Sequence, residues 1–165
     1  MILQVFKKKK ELHLERRYEA SIDAVWRAWT DADQLRQWWG PAKTSVPECT
    51  IDLRVGGTIH VVMEAGEGMG KYQGTRWPMT GTFTAIEPTR RLVYDARSWT
   101  EGDEDTTTIE HVNEITLRQE GDTTTVGFDV VITAIGPKAK MAAFGMKWGY
   151  KAHLDKLEAH LAESP

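Results

Sequence analysis

The order of hydrophobic patterns along the chain constrains its fold more than any single motif does. An amphipathic helical pattern lies near the front, alternating strand patterns fill the middle, and a long amphipathic helical pattern closes the chain. An alternating strand has one apolar face, and an amphipathic helix has one apolar stripe, and both must be covered. The order therefore predicts an antiparallel sheet that grips the terminal helix around a hollow.

Capping and turn residues divide this pattern into elements. Ser21 is a typical helix N-cap, and Asp23 in the following turn suits the positive end of the helix dipole. A second short helix is predicted over residues 32–39, where Gly40-Pro41 ends it. Alternation predicts seven strands, over residues 12–18, 46–55, 59–64, 80–87, 91–99, 109–120 and 123–134. The final helix should begin after Gly136-Pro137 and run to about Ala162.

Composition places the chain among ordinary globular proteins. Its 165 residues are 41% hydrophobic and 27% charged, which suits one domain. A single cysteine, Cys49, excludes an internal disulfide and suits a reducing compartment, so we expect a cytoplasmic protein. No apolar run reaches the roughly 20 residues that span a bilayer, and a net charge of −3 gives no overall attraction to nucleic acid. We expect neither membrane insertion nor nucleic-acid binding.

The first residues differ in character from the rest of the chain. Lys7 to Lys10 form a basic run, and the apolar residues that precede it stand in the opposite order to a signal peptide. We expect residues 1–10 to be a flexible basic N-terminal arm and residues 11–165 to be a single ligand-binding domain.

Short motifs, taken in their order, resemble a known family. They are Ala24-Val25-Trp26 with Trp29, Leu35 with Trp38-Trp39-Gly40-Pro41, Gly56-Gly57, residues 81–88, Arg91-Leu92-Val93-Tyr94, and Gly149-Tyr150 followed by Leu154 and Leu157. From about Glu11 to Ala162 the chain resembles homologues of the C-terminal domain of the heat-shock protein 90 ATPase activator, within the START-like (SRPBCC) helix-grip superfamily. Tyr150 departs from the family pattern, which usually has Trp at this position.

The resemblance implies both a fold and a kind of function. The implied fold is α+β: a curved antiparallel sheet of about six or seven strands around a long C-terminal helix, with two short helices after the first strand. The implied function is the binding of a small hydrophobic or aromatic molecule in a cavity between sheet and helix, without a cofactor. The family's namesake acts on a chaperone through protein contacts, so a chaperone-associated interaction module is an alternative, although nothing in this sequence marks such an interface.

The alternation of side chains along the strands and the apolar stripe of the final helix indicate which residues would line this cavity. The predicted ligand-binding set joins inward-facing strand positions, two positions of the final helix and one tryptophan of the second short helix: Trp39, Val61, Met63, Phe83, Tyr94, His111, Asn113, Phe128, Met146 and Tyr150. The plainer interpretation is that the apolar members are ordinary core.

Two polar residues of this set bear most directly on function. His111 and Asn113 share a strand face with Ile115, where a polar side chain is costly without a partner. They would orient a polar group of a ligand, or bond to backbone or water within the core, or turn outward at a one-residue bulge. Relatives in the superfamily that the chain resembles fold and dehydrate reactive chains, so the resemblance also implies a second interpretation, an enzyme of the polyketide cyclase/dehydratase type. His111 with Asn113 or Tyr94 would then supply the acid/base chemistry. We favour binding without reaction and assign no catalytic residue.

Other chemistry finds little support in the sequence. The five histidines and one cysteine show no metal-ligand spacing, and the glycine-rich stretch 66–74 lacks the spacing of a phosphate-binding loop, so no metal and no cofactor are expected. Cys49 lies on an apolar strand face, which is typical of an inert thiol.

Phe144 and Trp148 fall opposite the apolar stripe of the final helix. We expect a monomer or weak homodimer in which these two side chains, if exposed, form the first contact surface.

Overall fold

The structure, a computed structural model, describes residues 3–163, with the side chains of residue 3 and of residues 10–163. The elements are β1 (Gln4–Tyr18), α1 (Ile22–Thr30), α2 (Ala32–Trp38), β2 (Thr44–Ile51), β3 (Thr58–Ala65), a 3₁₀ helix (Glu67–Tyr72), β4 (Arg76–Glu87), β5 (Arg91–Ser98), α3 (Glu104–Thr107), β6 (Ile109–Glu120), β7 (Thr123–Ile135) and α4 (Lys140–Glu163). In this part of the chain the seven strands form one antiparallel sheet in the order β1-β7-β6-β5-β4-β3-β2. The predicted α+β helix-grip fold is confirmed.

The two short helices begin at the residues that capping chemistry predicts. The Ser21 hydroxyl accepts a hydrogen bond from the Ala24 amide at 3.2 Å, and the Asp31 carboxylate caps α2 in the same way. Both helices turn tryptophans into the core, and the Trp38 indole donates to the Ala28 carbonyl at 2.9 Å. That bond fixes α2 against α1, so the chain leaves α2 at a defined position beside the sheet.

β1 begins earlier than hydrophobic alternation predicts. Its backbone pairs with β7 from Gln4, which lies opposite Ile135, and the register shifts between Val5 and Lys10. The lysine run has no hydrophobic alternation that would predict a strand, whereas β7 is long enough to offer backbone partners. The backbone of residues 4–10 therefore belongs to the sheet rather than to an arm outside it. Residues 1 and 2 of the predicted arm lie outside the described residues.

β4 also begins before its predicted start. The prediction placed the first residue at Thr80, but Arg76 already pairs with β3, and Trp77 lies opposite Met63. Pro78 interrupts the alternating pattern and normally argues against a strand. This early part of β4 matters, because it forms one wall of the cavity described below.

The C-terminal helix packs on the sheet through the predicted stripe. Leu154 and Leu157 are fully buried, and the Tyr18 hydroxyl of β1 donates to the Leu154 carbonyl at 3.0 Å. An ion pair of 2.6 Å between Arg16 and Asp155 joins the same two elements at the surface. These contacts anchor the C-terminal half of α4 to β1.

The opposite side of α4 faces outward in its first half. Met141, Phe144 and Trp148 are 83%, 80% and 67% exposed. Among the helices of residues 3–163, none combines the length and apolar character needed to cross a membrane.

Candidate ligand-binding site

A cavity of about 360 Å³ lies between the N-terminal half of α4 and one end of the sheet. This is the end at which β3 and β5 finish and β4 and β6 begin. Its lining residues are Trp39, Pro41, Thr44, Met63, Met69, Trp77, Pro78, Met79, Ser98, Trp99, Thr100, Ile109, Ala142, Gly145, Met146, Gly149, Tyr150 and His153. A volume of this size falls in the range of known small-molecule pockets.

One face of α4 forms the helical wall of the cavity. Its six lining residues recur at steps of three and four, which places them on one side of a helix: Ala142, Gly145, Met146, Gly149, Tyr150 and His153. A Cβ added at Gly145 or at Gly149 would have no atom within 4 Å apart from neighbouring chain and helix backbone. The missing side chains at these two positions therefore leave the space that the cavity occupies.

Paired strand residues form the opposite wall. Met63 lies opposite Trp77, Met79 lies opposite Ser98, and Ser98 lies opposite Ile109. These cross-strand pairs make an apolar belt over four neighbouring strands, interrupted by the single Ser98 hydroxyl. Three tryptophans lie in the lining, Trp39, Trp77 and Trp99, and their flat faces suit an aromatic ligand.

The lining carries no formal charge near neutral pH. None of the cavity residues within the described chain is Asp, Glu, Lys or Arg. Its one imidazole belongs to His153, and burial, with a smaller contribution from the charge of Lys156, lowers the pKa of His153 to about 3. The cavity is therefore an uncharged environment.

Four polar side chains form a hydrogen-bonded relay that reaches the cavity at Ser98. Asn113 donates from Nδ2 to the Tyr94 hydroxyl at 3.1 Å, which leaves its Oδ1 to accept from His111 Nδ1 at 2.6 Å. Since His111 Nδ1 is protonated, Nε2 holds a lone pair and accepts from the Ser98 hydroxyl at 2.9 Å. The relay therefore joins the buried Tyr94 hydroxyl to the cavity lining at Ser98.

The relay positions the Ser98 hydroxyl rather than activating it as a nucleophile. Burial lowers the pKa of His111 to about 4, so its imidazole is a weak base. The third member is the neutral amide of Asn113, which gives an imidazolium less support than a carboxylate would. Burial also raises the pKa of Tyr150 to about 12 and raises that of Tyr94 further, so both phenols stay protonated.

His153 brings a second polar group to the lining. Its ring lies against Trp39, with ring centroids 4.5 Å apart, and it is 5% exposed. Its Nδ1 is buried and has no hydrogen-bond partner among the described residues. A buried nitrogen without a partner costs about 1–3 kcal/mol, so a ligand or water that bonds to it would be stabilised here.

The structure brings only part of the predicted set to the cavity. Four of its members line the cavity: Trp39, Met63, Met146 and Tyr150. The other six are buried in the sheet interior outside the lining: Val61, Phe83, Tyr94, His111, Asn113 and Phe128. There, aromatic packing fills the space between sheet and helix, with Phe128 against Tyr150 at 4.7 Å and Phe83 against Tyr94 at 5.9 Å.

Sequence reasoning missed several lining residues that carried a usable signal. His153 follows Tyr150 by three residues and Met146 by seven, so helical periodicity alone places it on the same face. Gly145 and Gly149 are four residues apart, which places them on one side of the helix, and two glycines within a long helix are unusual because they weaken it. Ser98 had no such signal, since it ends a strand and shows its role only through its bond to His111.

Cys49 is not part of the cavity lining, and the described residues provide no metal site there. The Cys49 thiol is half-buried, and burial raises its pKa to about 11, which makes it a poor nucleophile. No group of three or more potential ligands within residues 3–163 is arranged to hold a metal ion.

Comparisons with known proteins support the fold described above. A protein from Rhizobium leguminosarum matches with a TM-score of 0.80 and 22% identity over 99% of this chain and 100% of that one. A protein from Rhizobium loti matches with a TM-score of 0.75 and 22% identity, over 98% and 100% of the two chains. CalU16 from Micromonospora echinospora matches with a TM-score of 0.61 and 23% identity, over 98% and 85%. At these identities the likeness concerns the fold alone.

A search of curated protein sequences found no match. A family model described as Activator of Hsp90 ATPase homolog 1-like protein matches residues 19–162. That range includes both short helices, every residue of the cavity lining and all of α4 except its last residue. The chain therefore belongs to the activator of Hsp90 ATPase homolog 1-like family, within the START-like helix-grip superfamily.

Proposed function

We propose that the protein binds a small, mainly apolar or aromatic molecule in the cavity between α4 and the sheet. The observation that carries this proposal is the lining itself: an uncharged, mainly apolar cavity of about 360 Å³ with three tryptophans. The family's fold is compatible with it. We place the protein in the cytoplasm, because its single cysteine suits a reducing compartment.

Desolvation supplies most of the affinity in this proposal. Each Å² of apolar surface that ligand and lining bury contributes about 25 cal/mol, and stacking on Trp39, Trp77 or Trp99 adds a preference for flat rings. The cavity needs no cofactor for this role. Chaperone binding is not part of this proposal, because its only support is the description of the family.

A cyclase or dehydratase acting on a reactive ligand is the second candidate. One observation favours it: the Ser98–His111–Asn113 relay reaches the cavity and could hold a hydroxyl group of the ligand during a proton transfer. The low pKa of His111 argues for the binding role, because an effective general base needs a pKa near the working pH.

An amide-resolved NMR titration tests the first proposal. The purified protein is titrated with fatty acids, flavonoid-like aromatics and polyketide-like molecules, and saturable shifts are expected at Tyr150, Ser98 and the Trp77 region. The matched variants are Gly145→Leu, which fills the cavity, and Ala159→Leu, which adds the same side chain at an exposed position of α4.

The two variants separate the cavity from the protein surface. Gly145→Leu should abolish the shifts, whereas Ala159→Leu should keep them. Shifts confined to Phe144 and Trp148, or shifts that persist in Gly145→Leu, would contradict the proposal. Product analysis of the same mixtures by mass spectrometry decides whether a bound molecule is converted.

A further inference from the structure

We propose that the cavity selects uncharged molecules in which an aromatic or apolar body carries a hydroxyl group, and that Ser98 accepts the hydrogen bond from that hydroxyl. The inference rests on the proposed function and adds the chemical class of the ligand. Two properties of the lining carry it: the absence of charged groups among the described lining residues, and the fixed direction of the Ser98 hydroxyl.

A charged ligand would find no counter-ion in the cavity. Arg97 and Arg76 adjoin the lining residues Ser98 and Trp77 in sequence. Each is paired with a carboxylate, Arg97 with Glu104 and Arg76 with Glu48. Neither arginine is part of the lining. Moving an ionised group from water into such a cavity loses its hydration without replacing it. A carboxylate or an amine in its charged form is therefore disfavoured.

The relay leaves Ser98 as an acceptor. Its own proton is directed to His111 Nε2, because Asn113 Oδ1 accepts a hydrogen bond from His111 Nδ1 and so holds the imidazole proton there. The remaining lone pairs of the Ser98 oxygen require a donor, which a hydroxyl or an N–H group supplies and an ether or carboxylate does not. The buried Nδ1 of His153, which lacks a partner among the described residues, offers a second contact on the opposite wall.

Three probes of similar shape test this selectivity at neutral pH. They are 2-naphthol, which is neutral and carries a donor, 2-methoxynaphthalene, which is neutral and lacks one, and 2-naphthoate, which is anionic. Dissociation constants are measured by NMR titration of the whole protein. We expect 2-naphthoate to bind at least about tenfold more weakly than 2-naphthol, because its charge is not compensated.

Ser98→Ala tests the role of the hydroxyl. A hydrogen bond contributes about fivefold to affinity, so Ser98→Ala should weaken 2-naphthol by roughly that factor and leave 2-methoxynaphthalene unchanged. Thr133→Val is the matched control, since it also removes one strand hydroxyl, but Thr133 lies outside the cavity lining and its hydroxyl donates to the Glu110 carbonyl at 3.3 Å. It should leave the ratio of the two affinities unchanged.

The outcomes distinguish this inference from the proposed function. Equal or tighter binding of 2-naphthoate in the wild-type protein would overturn the inference without any variant. A folded Ser98→Ala protein with an unchanged ratio of affinities for 2-naphthol and 2-methoxynaphthalene would also overturn the inference. In that case the cavity would still be a binding site, and the proposed function would stand. If none of the three probes binds and the wider library is also silent, the proposed function fails, and the selectivity fails with it.

Discussion

Two buried imidazole rings tie the stability of this protein to pH. His111 lies inside the relay and His153 lies in the cavity wall, and burial lowers the pKa of His111 to about 4 and that of His153 to about 3. An unfolded histidine has a pKa near 6.5. Between these values the unfolded chain binds protons that the folded protein does not, so acid favours unfolding.

The expected result is a fall in the free energy of unfolding as pH drops from about 6.5 toward 4. Each buried histidine should contribute about 1.4 kcal/mol per pH unit over this window. Urea unfolding at several pH values measures the slope. His111→Gln and His153→Gln should each reduce it by about half of the histidine contribution, and an unchanged slope in both variants would show that neither ring is buried in its neutral form.

Phe128 has a structural role that its place in the predicted ligand-binding set does not convey. It is 1% exposed and packs against Trp29 and Tyr150, outside the cavity lining. Phe128→Ala should lower the free energy of unfolding by about 3–5 kcal/mol, as measured by urea unfolding. Leu53→Ala, at a position that is 41% exposed, is the control and should change it little. A small effect of Phe128→Ala would mean that this part of the interior is not close-packed.

Among the elements, α4 does two different things along its length. Its C-terminal half packs against β1 through Leu154, Leu157 and the Tyr18 hydroxyl. Its N-terminal half lines the cavity, where Ala142, Gly145 and Gly149 are small residues. Glycine within a helix costs roughly 0.5–1 kcal/mol relative to alanine, so Gly145 and Gly149 weaken the helix where the cavity lies.

Gly149→Ala should therefore make the protein more stable and a poorer binder. The added methyl group meets no neighbour within 4 Å, so we expect a gain of up to about 1 kcal/mol in the free energy of unfolding. The methyl group also takes space from the cavity, so the affinity for ring-shaped ligands should fall. Thermal unfolding and NMR titration measure the two effects, and a loss of stability would contradict the assignment of open space beside Gly149.

The strands show what sequence periodicity can and cannot predict. Alternation correctly placed His111 and Phe128, which are buried, and Met63, which lines the cavity, on the inward face, because side chains of a strand point to opposite sides in turn. Alternation does not show at which residue of a strand the close-packed interior ends and the cavity begins. The filled part depends on which aromatic rings meet across the sheet and helix, and these contacts join residues distant in sequence, such as Trp29 and Phe128.

For the whole molecule, the order of elements was enough to predict the fold. Strand, two short helices, strands and one long helix allow few arrangements in which every apolar face is covered. The site could not be predicted in this way, because it depends on contacts between residues that are distant in sequence. Ser98 bonds to His111 across the β5–β6 pairing. Trp77 lines the cavity from a part of β4 in which Pro78 interrupts the strand pattern. No local pattern contains either relation.

The outer surface of α4 bears on the oligomeric state of the molecule. Met141, Phe144 and Trp148 are exposed beside Lys147 and Lys151, and the Lys151 ammonium lies 5.6 Å from the Trp148 ring. If two copies met through this surface, their lysines would face one another. Repulsion should then keep the protein monomeric at low salt, and screening should permit weak association.

Sedimentation equilibrium at low and high salt tests this expectation. The weight-average mass should match a monomer at low salt and should rise at high salt, because the apolar side chains remain attractive when the charges are screened. Trp148→Ser should remove the rise. A stable dimer at low salt would contradict the expectation and would point to a different contact surface.

The two glycines of the cavity wall have a consequence for engineering. A selection of variants for heat resistance would favour larger residues at Gly145 and Gly149, since both positions are open and both weaken the helix. Such a selection would remove the space for a ligand while improving every measure of folding. A thermostable version of this protein obtained in that way would keep the fold but lose its ligand-binding cavity. Heat resistance and ligand binding therefore need to be screened together.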